Sequence, residues 1–186
     1  MKSLILGGVK SGKSRFAERI ATDSGNHVTY IATAQPWDDE MRTRIAAHQA
    51  QRPSHWNTVE APLYLAQTLQ THDAPNHTLL VDCLTLWITQ LLCHDNPALL
   101  AQELNAFQTL LPHLKADIIL VSNETNMGIT PMDALSRRFC DTAGKLHQTL
   151  APMMDSVVLT VAGLPLYVKG KPHELDSGIF SYSLCS

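Results

Sequence analysis

The chain has 186 residues, of which 45% are hydrophobic, and this combination suits one compact domain with a full core. Its net charge of −3 argues against a general nucleic-acid surface, because such a surface requires a strongly basic domain. Four cysteines are present without a Cys-x-x-Cys pair, so we interpret them as structural. No signal-peptide pattern and no membrane-length apolar stretch occur, so we expect a cytoplasmic protein without stable membrane insertion.

Short apolar segments alternate with amphipathic segments along most of the chain. The predicted strands span residues 4–6, 28–32, 56–59, 78–81, 117–122 and 157–161. The predicted helices span residues 13–23, 38–52, 62–70, 84–93, 97–111 and 132–150. Apolar strands separated by helices indicate an α/β protein with a mostly parallel sheet, whose ligands bind beyond the carboxyl ends of the strands. We therefore assign one domain to residues 1–168 and a C-terminal extension to residues 169–186.

A phosphate-binding loop follows the first predicted strand and opens the first predicted helix. The motif is Gly-x4-Gly-Lys-Ser, and its nucleotide-binding residues are Gly7, Gly8, Val9, Lys10, Ser11, Gly12, Lys13 and Ser14. The glycines allow successive backbone N–H groups to point at phosphate oxygens, and the helix N-terminus adds partial positive charge. Lys13 reaches the β and γ phosphates, and the Ser14 hydroxyl is a ligand for Mg²⁺. An ordinary glycine-rich turn is the alternative interpretation.

Asp82 stands directly after the apolar run of the fourth predicted strand. A carboxylate at this position beside a phosphate loop can hold Mg²⁺ directly or through water. Asp82 can also serve as the N-cap of the helix predicted to begin at residue 84. The two roles are compatible, and the sequence pattern alone leaves both open.

His48 shares one face of the predicted helix 38–52 with Arg44 and Arg52, since each arginine lies four residues away. Two flanking guanidinium groups favour neutral imidazole, which is the nucleophilic form, and they can also bind phosphate groups. A solvent-exposed histidine on a charged helix is the simpler interpretation. Spacing does not favour His48 over His55.

Three polar residues, Ser122, Asn123 and Glu124, end the fifth predicted strand and should face the same cleft as the phosphate loop. They either orient a substrate or cap a loop. Arg137 and Arg138 either contact phosphates or are solvated, and we expect solvation for one of them.

Several stretches together resemble the bifunctional adenosylcobinamide kinase/adenosylcobinamide-phosphate guanylyltransferase family of cobalamin biosynthesis. They are Leu-Gly-Gly-Val-Lys-Ser-Gly-Lys-Ser-Arg (6–15), Tyr-Ile-Ala-Thr-Ala (30–34), Asp-Asp-Glu-Met (38–41), Arg-Ile-x-x-His (44–48), Arg-Pro-x-x-Trp (52–56), Val-Asp-Cys-Leu-Thr (81–85) and Ser-Asn-Glu-Thr-x-Met-Gly (122–128). The phosphate loop is common to many proteins, whereas the combination with Tyr-Ile-Ala-Thr and Arg-Ile-x-x-His-x-x-x-Arg-Pro is far more selective. The resemblance covers about residues 3–168.

The resemblance implies a RecA-like P-loop fold, a homotrimer, Mg²⁺, and GTP and ATP as substrates. It implies that the enzyme phosphorylates adenosylcobinamide, a corrinoid, and then transfers GMP from GTP through guanylylated His48, with Lys13 as the second catalytic residue. It also implies nucleotide contacts from Ala32, Thr33, Ala34, Gln49, Ala50, Gln51, Arg52, Glu60 and Asp82. Position 82 is Asp where some members carry Glu, and either residue can hold a metal ion.

Two other functions compete with this interpretation. A monofunctional P-loop kinase of another small molecule would use Lys13 and Asp82 without needing His48. A nucleotide-binding regulatory module would use the loop to sense a nucleotide and would turn it over slowly.

Overall fold

The computed structural model describes residues 1–35, 39, 42, 43 and 53–171. Its strands are β1 (Lys2–Gly7), β2 (His27–Ala32), β3 (Asn57–Glu60), β4 (His77–Asp82), β5 (Asp117–Asn123), β6 (Ser156–Val161) and β7 (Leu164–Lys169). Its helices are α1 (Lys13–Asp23), α2 (Leu65–His72), α3 (Leu84–Leu92), α4 (Leu99–Leu110) and α5 (Ala134–Met153), with a 3₁₀ turn at Leu111–His113.

The seven strands form one sheet in the order β3-β2-β4-β5-β1-β6-β7. The first six strands are mutually parallel, and only β7 is antiparallel to its neighbour. The predicted α/β class is therefore confirmed, with a mostly parallel sheet flanked by helices. The parallel strands place their carboxyl ends along one edge, where the functional residues are expected.

Each face of the sheet packs against its own hydrophobic core. Leu4 of β1 belongs to the larger core with α2, α3, α4 and α5, whereas Ile5 belongs to the smaller core with α1. This alternation follows from the two-residue period of a strand. Helix α1 completes the smaller core with Phe16, Ala17 and Ile20, which are spaced to lie on one helix face.

Strand β7 was not predicted from the sequence. It pairs with β6 through a turn in which Ala162 and Gly163 both have positive φ, as in the tight turns of β-hairpins. Leu164, Leu166 and Val168 lie on one side of the strand and are all exposed, so apolar and polar residues do not alternate along it as they do in a typical half-buried strand. The predicted domain therefore ends on an antiparallel edge strand.

Of the predicted helix 38–52, the structure describes residues 39, 42 and 43, which are helical. The other residues of this segment, including His48, Gln49, Ala50, Gln51 and Arg52, lie outside the described residues, as do residues 172–186 of the predicted extension. Among the helices that the structure does describe, none has the length and apolar content to cross a bilayer.

Candidate active site

The phosphate loop leaves the carboxyl end of β1 at Gly7 and curls back on itself. The Ser11 N–H donates to the Gly8 carbonyl oxygen at 3.2 Å, which closes the turn. Lys10 and Gly12 have φ of 56° and 95°, so the chain reverses its curvature twice before α1 begins. When successive residues alternate between right-handed and left-handed backbone conformations, their N–H groups point toward one concave side. This is the geometry that binds phosphate.

The β6–β7 hairpin holds the phosphate loop from one side. Thr160 Oγ1 lies 2.9 Å from Ser11 Oγ and donates to the Leu6 carbonyl oxygen at 3.1 Å. The Gly163 N–H donates to the Ser11 carbonyl oxygen at 2.9 Å. An added Cβ on Gly12 would lie 3.0 Å from Gly163 Cα, so the two backbones are close enough to require glycine.

Lys13 points its ammonium group into the loop, where Nζ donates to the Gly8 carbonyl oxygen at 3.0 Å. The side chain is mostly buried, with an exposed fraction of 9%. Burial lowers the pKa of Lys13, and the negative charge of Asp82 opposes that shift. Lys13 therefore has the position of a P-loop lysine, with a carboxylate close enough to influence its charge.

Asp82 is the last residue of β4 and accepts a hydrogen bond from the Tyr30 hydroxyl at 3.1 Å. Helix α3 begins at Leu84 with Cys83 as its N-cap residue, and no side chain caps it. The prediction that Asp82 caps this helix was therefore wrong. The strand carries Asp82 to the edge of the sheet, and its carboxylate remains beside the loop as a candidate metal ligand.

The residues present fit Mg²⁺, because Ser14 supplies a hydroxyl oxygen in the first turn of α1 and Asp82 supplies a carboxylate. Hard oxygen ligands in small number, completed by phosphate oxygens and water, are typical of Mg²⁺ sites in P-loop enzymes. Within the ranges that the structure describes, no cluster of three His, Cys, Asp or Glu residues occurs that would suggest another kind of metal site.

Four further predicted contact residues lie along the same edge of the sheet. Ala32 of β2 is in register with Glu60 of β3 on one side and with Asp82 on the other. Thr33 follows Ala32, and its hydroxyl both donates to the Cys83 carbonyl oxygen at 2.7 Å and accepts from the Cys83 N–H at 2.9 Å. These two hydrogen bonds join the carboxyl ends of β2 and β4. Ala34 is the next residue along the chain after Thr33.

The end of β5 is joined to the loop and to a buried polar network. The Glu124 N–H donates to the Gly7 carbonyl oxygen at 3.0 Å, and the Asn123 N–H donates to Thr85 Oγ1 at 2.7 Å. Ser122 Oγ lies 3.5 Å from Thr85 Oγ1 and 2.8 Å from His147 Nε2. Glu124 Oε1 accepts the Asn126 N–H at 2.7 Å, which is the loop-capping role considered above.

The sequence patterns pointed to Ser122 and Asn123 but missed His147, Thr85, Thr160 and Gly163. Thr85 and His147 lie within amphipathic helices. The sequence alone does not show whether such a polar residue lies on the buried or the exposed face of its helix. Burial lowers the pKa of His147, and Glu124 opposes this effect. His147 is therefore stabilised as neutral imidazole.

The structure separates His55 from the phosphate loop. His55 lines a cavity with His27, Asn57 and His77, which begin β2, β3 and β4 respectively. These residues stand at the amino ends of parallel strands, whereas Gly7 and Asp82 stand at the carboxyl ends of six-residue strands. A six-residue strand spans about 20 Å, so His55 cannot reach a nucleotide held by the loop.

The fold and these residues define the class: an α/β protein of the P-loop nucleotide-binding kind, with its phosphate site at the carboxyl edge of the sheet. The family model described as cobinamide kinase / cobinamide phosphate guanyltransferase matches residues 3–168. The chain belongs to this family.

This chain aligns with curated relatives over nearly the whole length of each relative. The bifunctional adenosylcobalamin biosynthesis protein CobP of Pseudomonas aeruginosa is 55% identical over 172 residues, covering 92% of this chain and 99% of that protein. The bifunctional adenosylcobalamin biosynthesis protein CobU of Escherichia coli is 39% identical over 183 residues, covering 91% and 100%. A solved protein of Pyrococcus horikoshii OT3 (project PH0250) superposes with a TM-score of 0.55 at 9% identity, covering 93% of this chain and 88% of that one, and supports the fold alone.

Gly7→Ala is expected to destabilise the protein by about 1–3 kcal/mol, since overpacking strains its surroundings. A Cβ on Gly7 would lie 2.3 Å from both Ser11 Oγ and Thr160 Oγ1. Gly8→Ala is the matched control, because a Cβ there meets no atom within 4 Å among the described residues. Equilibrium urea unfolding measures both variants. Equal stability losses would contradict the proposed packing of the loop on the hairpin.

His147→Gln is expected to flatten part of the acid dependence of stability. The folded-state pKa of His147 is lowered, so below the ordinary histidine pKa of about 6.5 the unfolded chain binds more protons than the folded one. The free energy of unfolding therefore falls as the pH drops below about 6.5, until the folded-state histidine also binds its proton. Urea unfolding across this range should show wild type and variant converging as the pH falls. A constant difference between them would be inconsistent with a buried neutral His147.

Proposed function

We propose that this chain carries out two transfers at one nucleotide site: it phosphorylates adenosylcobinamide, and it moves GMP from GTP to the product through guanylylated His48. The observation that carries the proposal is the phosphate loop with buried Lys13 beside Asp82. Membership of the cobinamide kinase and cobinamide phosphate guanyltransferase family supplies the two reactions. The assignment of residues to these reactions is our inference.

In the first transfer, the terminal phosphoryl group of ATP or GTP passes to the aminopropanol hydroxyl of the corrinoid. The oxygen–phosphorus bond to the acceptor forms as the bond to the β-phosphate oxygen breaks. The backbone N–H groups of residues 8–14 bind the phosphate oxygens, and Lys13 neutralises charge that develops on the transferring group. Mg²⁺, held by Ser14 and Asp82, supplies further charge neutralisation when bound.

In the second transfer, a ring nitrogen of neutral His48 attacks the α-phosphorus of GTP. A nitrogen–phosphorus bond forms, the bond to the β-phosphate oxygen breaks, and pyrophosphate leaves. An oxygen of the corrinoid phosphate then attacks the same phosphorus, and His48 leaves to give adenosylcobinamide-GDP. Two displacements replace one difficult displacement between anions, which is the advantage of a covalent intermediate.

Nucleotide contacts outside the loop are proposed at the carboxyl ends of β2, β3 and β4. Ala32, Thr33 and Ala34 lie there, and Glu60 is exposed at the end of β3. An exposed carboxylate can accept hydrogen bonds from a ribose or a guanine edge. Gln49, Ala50, Gln51 and Arg52 complete the proposed set on the strength of the family resemblance.

We further propose that the enzyme works in the cytoplasm and that it is a homotrimer, the second of which the resemblance implies. A charged fraction of 17%, below the usual share of about a quarter, is compatible with self-association. Sedimentation equilibrium of the purified protein measures this directly: a mass of three chains supports the proposal, and a monomer mass rejects it.

The histidine assignment is tested with GTP labelled at the α-phosphate. Wild type incubated with Mg²⁺ and this GTP is expected to retain label after denaturation in alkali, since a phosphoramidate is stable to alkali and labile to acid. His48→Ala should fall to background because it lacks the nucleophile. His55→Ala is the matched control and should label like wild type, because His55 lies at the opposite edge of the sheet.

Two results would change the proposal. Label on His48→Ala would mean that another residue is the nucleophile. Absence of label on wild type, with phosphorylation of cobinamide intact, would favour the monofunctional kinase.

A further inference from the structure

The loop between β5 and α5, residues 124–133, exposes large apolar side chains to an unusual degree. Ile129 and Met132 have exposed fractions of 97% and 95%, and Met127 has 76%. Single exposed apolar residues are normal on a protein surface, but three within six residues form a group. Such a group costs solvation free energy and typically marks a binding surface.

The β5–α5 loop is fastened at its first end by Asn126. The Asn126 N–H donates to Glu124 Oε1 at 2.7 Å, and Asn126 Nδ2 donates to the Cys140 carbonyl oxygen of α5 at 3.1 Å. An added Cβ on Gly144 would lie 2.5 Å from Asn126 Nδ2, so the helix needs glycine where the amide crosses it.

The other end of the loop is fastened by the first turn of α5. Asp133 caps the helix by accepting the Ser136 N–H at 2.7 Å. Arg137 donates to the carbonyl oxygen of Pro131 at 3.1 Å and also to that of Met132. Arg137, for which phosphate contact and solvation were the two alternatives, thus also helps to fasten the loop. Because both ends are held, the exposed apolar side chains are presented by an ordered loop.

A cavity of about 380 Å³ lies between this loop and α5. Its lining mixes polar and apolar groups: Arg137, Lys145 and Asp141 carry both signs of charge, and Ile129 of the loop supplies apolar surface. Mixed charge suits a ligand rich in uncharged hydrogen-bonding groups better than it suits a polyanion. The cavity therefore adjoins the apolar tip of the loop and adds polar groups beside it.

The loop also begins at the phosphate site, since the Glu124 N–H donates to the Gly7 carbonyl oxygen at 3.0 Å. A phosphoryl acceptor must place its hydroxyl at the end of the nucleotide triphosphate, and the rest of the acceptor must then lie on a surface that borders the phosphate loop. The β5–α5 loop is such a surface.

We propose that the β5–α5 loop and the adjoining cavity bind the corrinoid ring of the substrate. Met127, Ile129 and Met132 contact the apolar face and edge of the macrocycle, and the polar groups of the cavity bind its peripheral amides. Methionine is well suited to this role because its flexible, polarisable side chain follows irregular surfaces. The proposal rests on the proposed function, which names the corrinoid as the acceptor.

The test measures binding of cobinamide itself by equilibrium dialysis, alongside the kinase rate. The variant is Ile129→Ser combined with Met132→Ser, which removes two exposed side chains that make no contribution to the described cores. Its dissociation constant for cobinamide, and its KM for cobinamide in the kinase reaction, should each rise tenfold or more. Its affinity for GTP should stay within about twofold of wild type. A tenfold change in a dissociation constant corresponds to about 1.4 kcal/mol.

Val168→Ser is the matched control. Val168 is 68% exposed on β7, but its neighbour Lys169 pairs with Val157 at the start of β6, so it lies toward the edge of the sheet opposite the phosphate loop. Its cobinamide affinity should equal that of wild type.

Three outcomes would count against the inference. An unchanged cobinamide affinity in the double variant overturns it. A weaker affinity accompanied by a smaller sedimentation mass also overturns it, because the loop is then a contact between copies of the chain. Equal weakening in Val168→Ser shows a non-specific effect. Wild type that binds cobinamide through this loop without phosphorylating it would refute the proposed function and leave the corrinoid site standing.

Discussion

The phosphate loop depends on close backbone contact with the β6–β7 hairpin. Gly7 and Gly12 have no side chain at the points where Thr160 and Gly163 approach, and hydrogen bonds from Thr160 to Leu6 and from Gly163 to Ser11 hold the loop in its curled form. If the loop took its curled form only when phosphate bound, the free-energy cost of ordering the loop would weaken nucleotide binding. A loop that is already held in this form avoids that cost. The β6–β7 hairpin thus supports the shape of the phosphate loop although it carries no predicted ligand-binding residue.

The parallel arrangement then brings the remaining groups to the same edge. Gly7 ends β1, Asp82 ends β4, and Asn123 ends β5, so three separate stretches of sequence meet at one place. The two family reactions break different bonds of a nucleotide. The kinase reaction breaks the bond between the β-phosphate oxygen and the γ-phosphorus, and the guanylyltransferase reaction breaks the bond between the α-phosphorus and the β-phosphate oxygen. We propose that a single set of phosphate ligands serves both, with a corrinoid hydroxyl as the nucleophile of the first reaction and His48 as the nucleophile of the second.

Much of this arrangement could be predicted from the sequence, because the responsible signals are local. The phosphate loop has a fixed spacing, and Asp82 follows an apolar run. The family resemblance depends on short stretches in a definite order. The missing parts are long-range: Thr160 contacts the loop across 149 residues, and His147 meets Ser122 across 25. Strand β7 was missed because Leu164, Leu166 and Val168, three of its apolar residues, are exposed. The prediction that Asp82 caps α3 was wrong because Cys83 is the N-cap residue of that helix and no side chain caps it.

The central claim is that one phosphate loop serves both transfers, and Lys13→Ala tests it most directly. Lys13 lies in the first turn of α1, and its ammonium group is directed into the loop. The measurement is the rate of cobinamide phosphorylation and, separately, the rate of GMP incorporation from α-labelled GTP. We expect both rates to fall together by on the order of a hundredfold or more, as for loss of one preorganised electrostatic donor. Loss of phosphorylation with normal GMP incorporation would contradict the account, because the two reactions would then use different nucleotide sites.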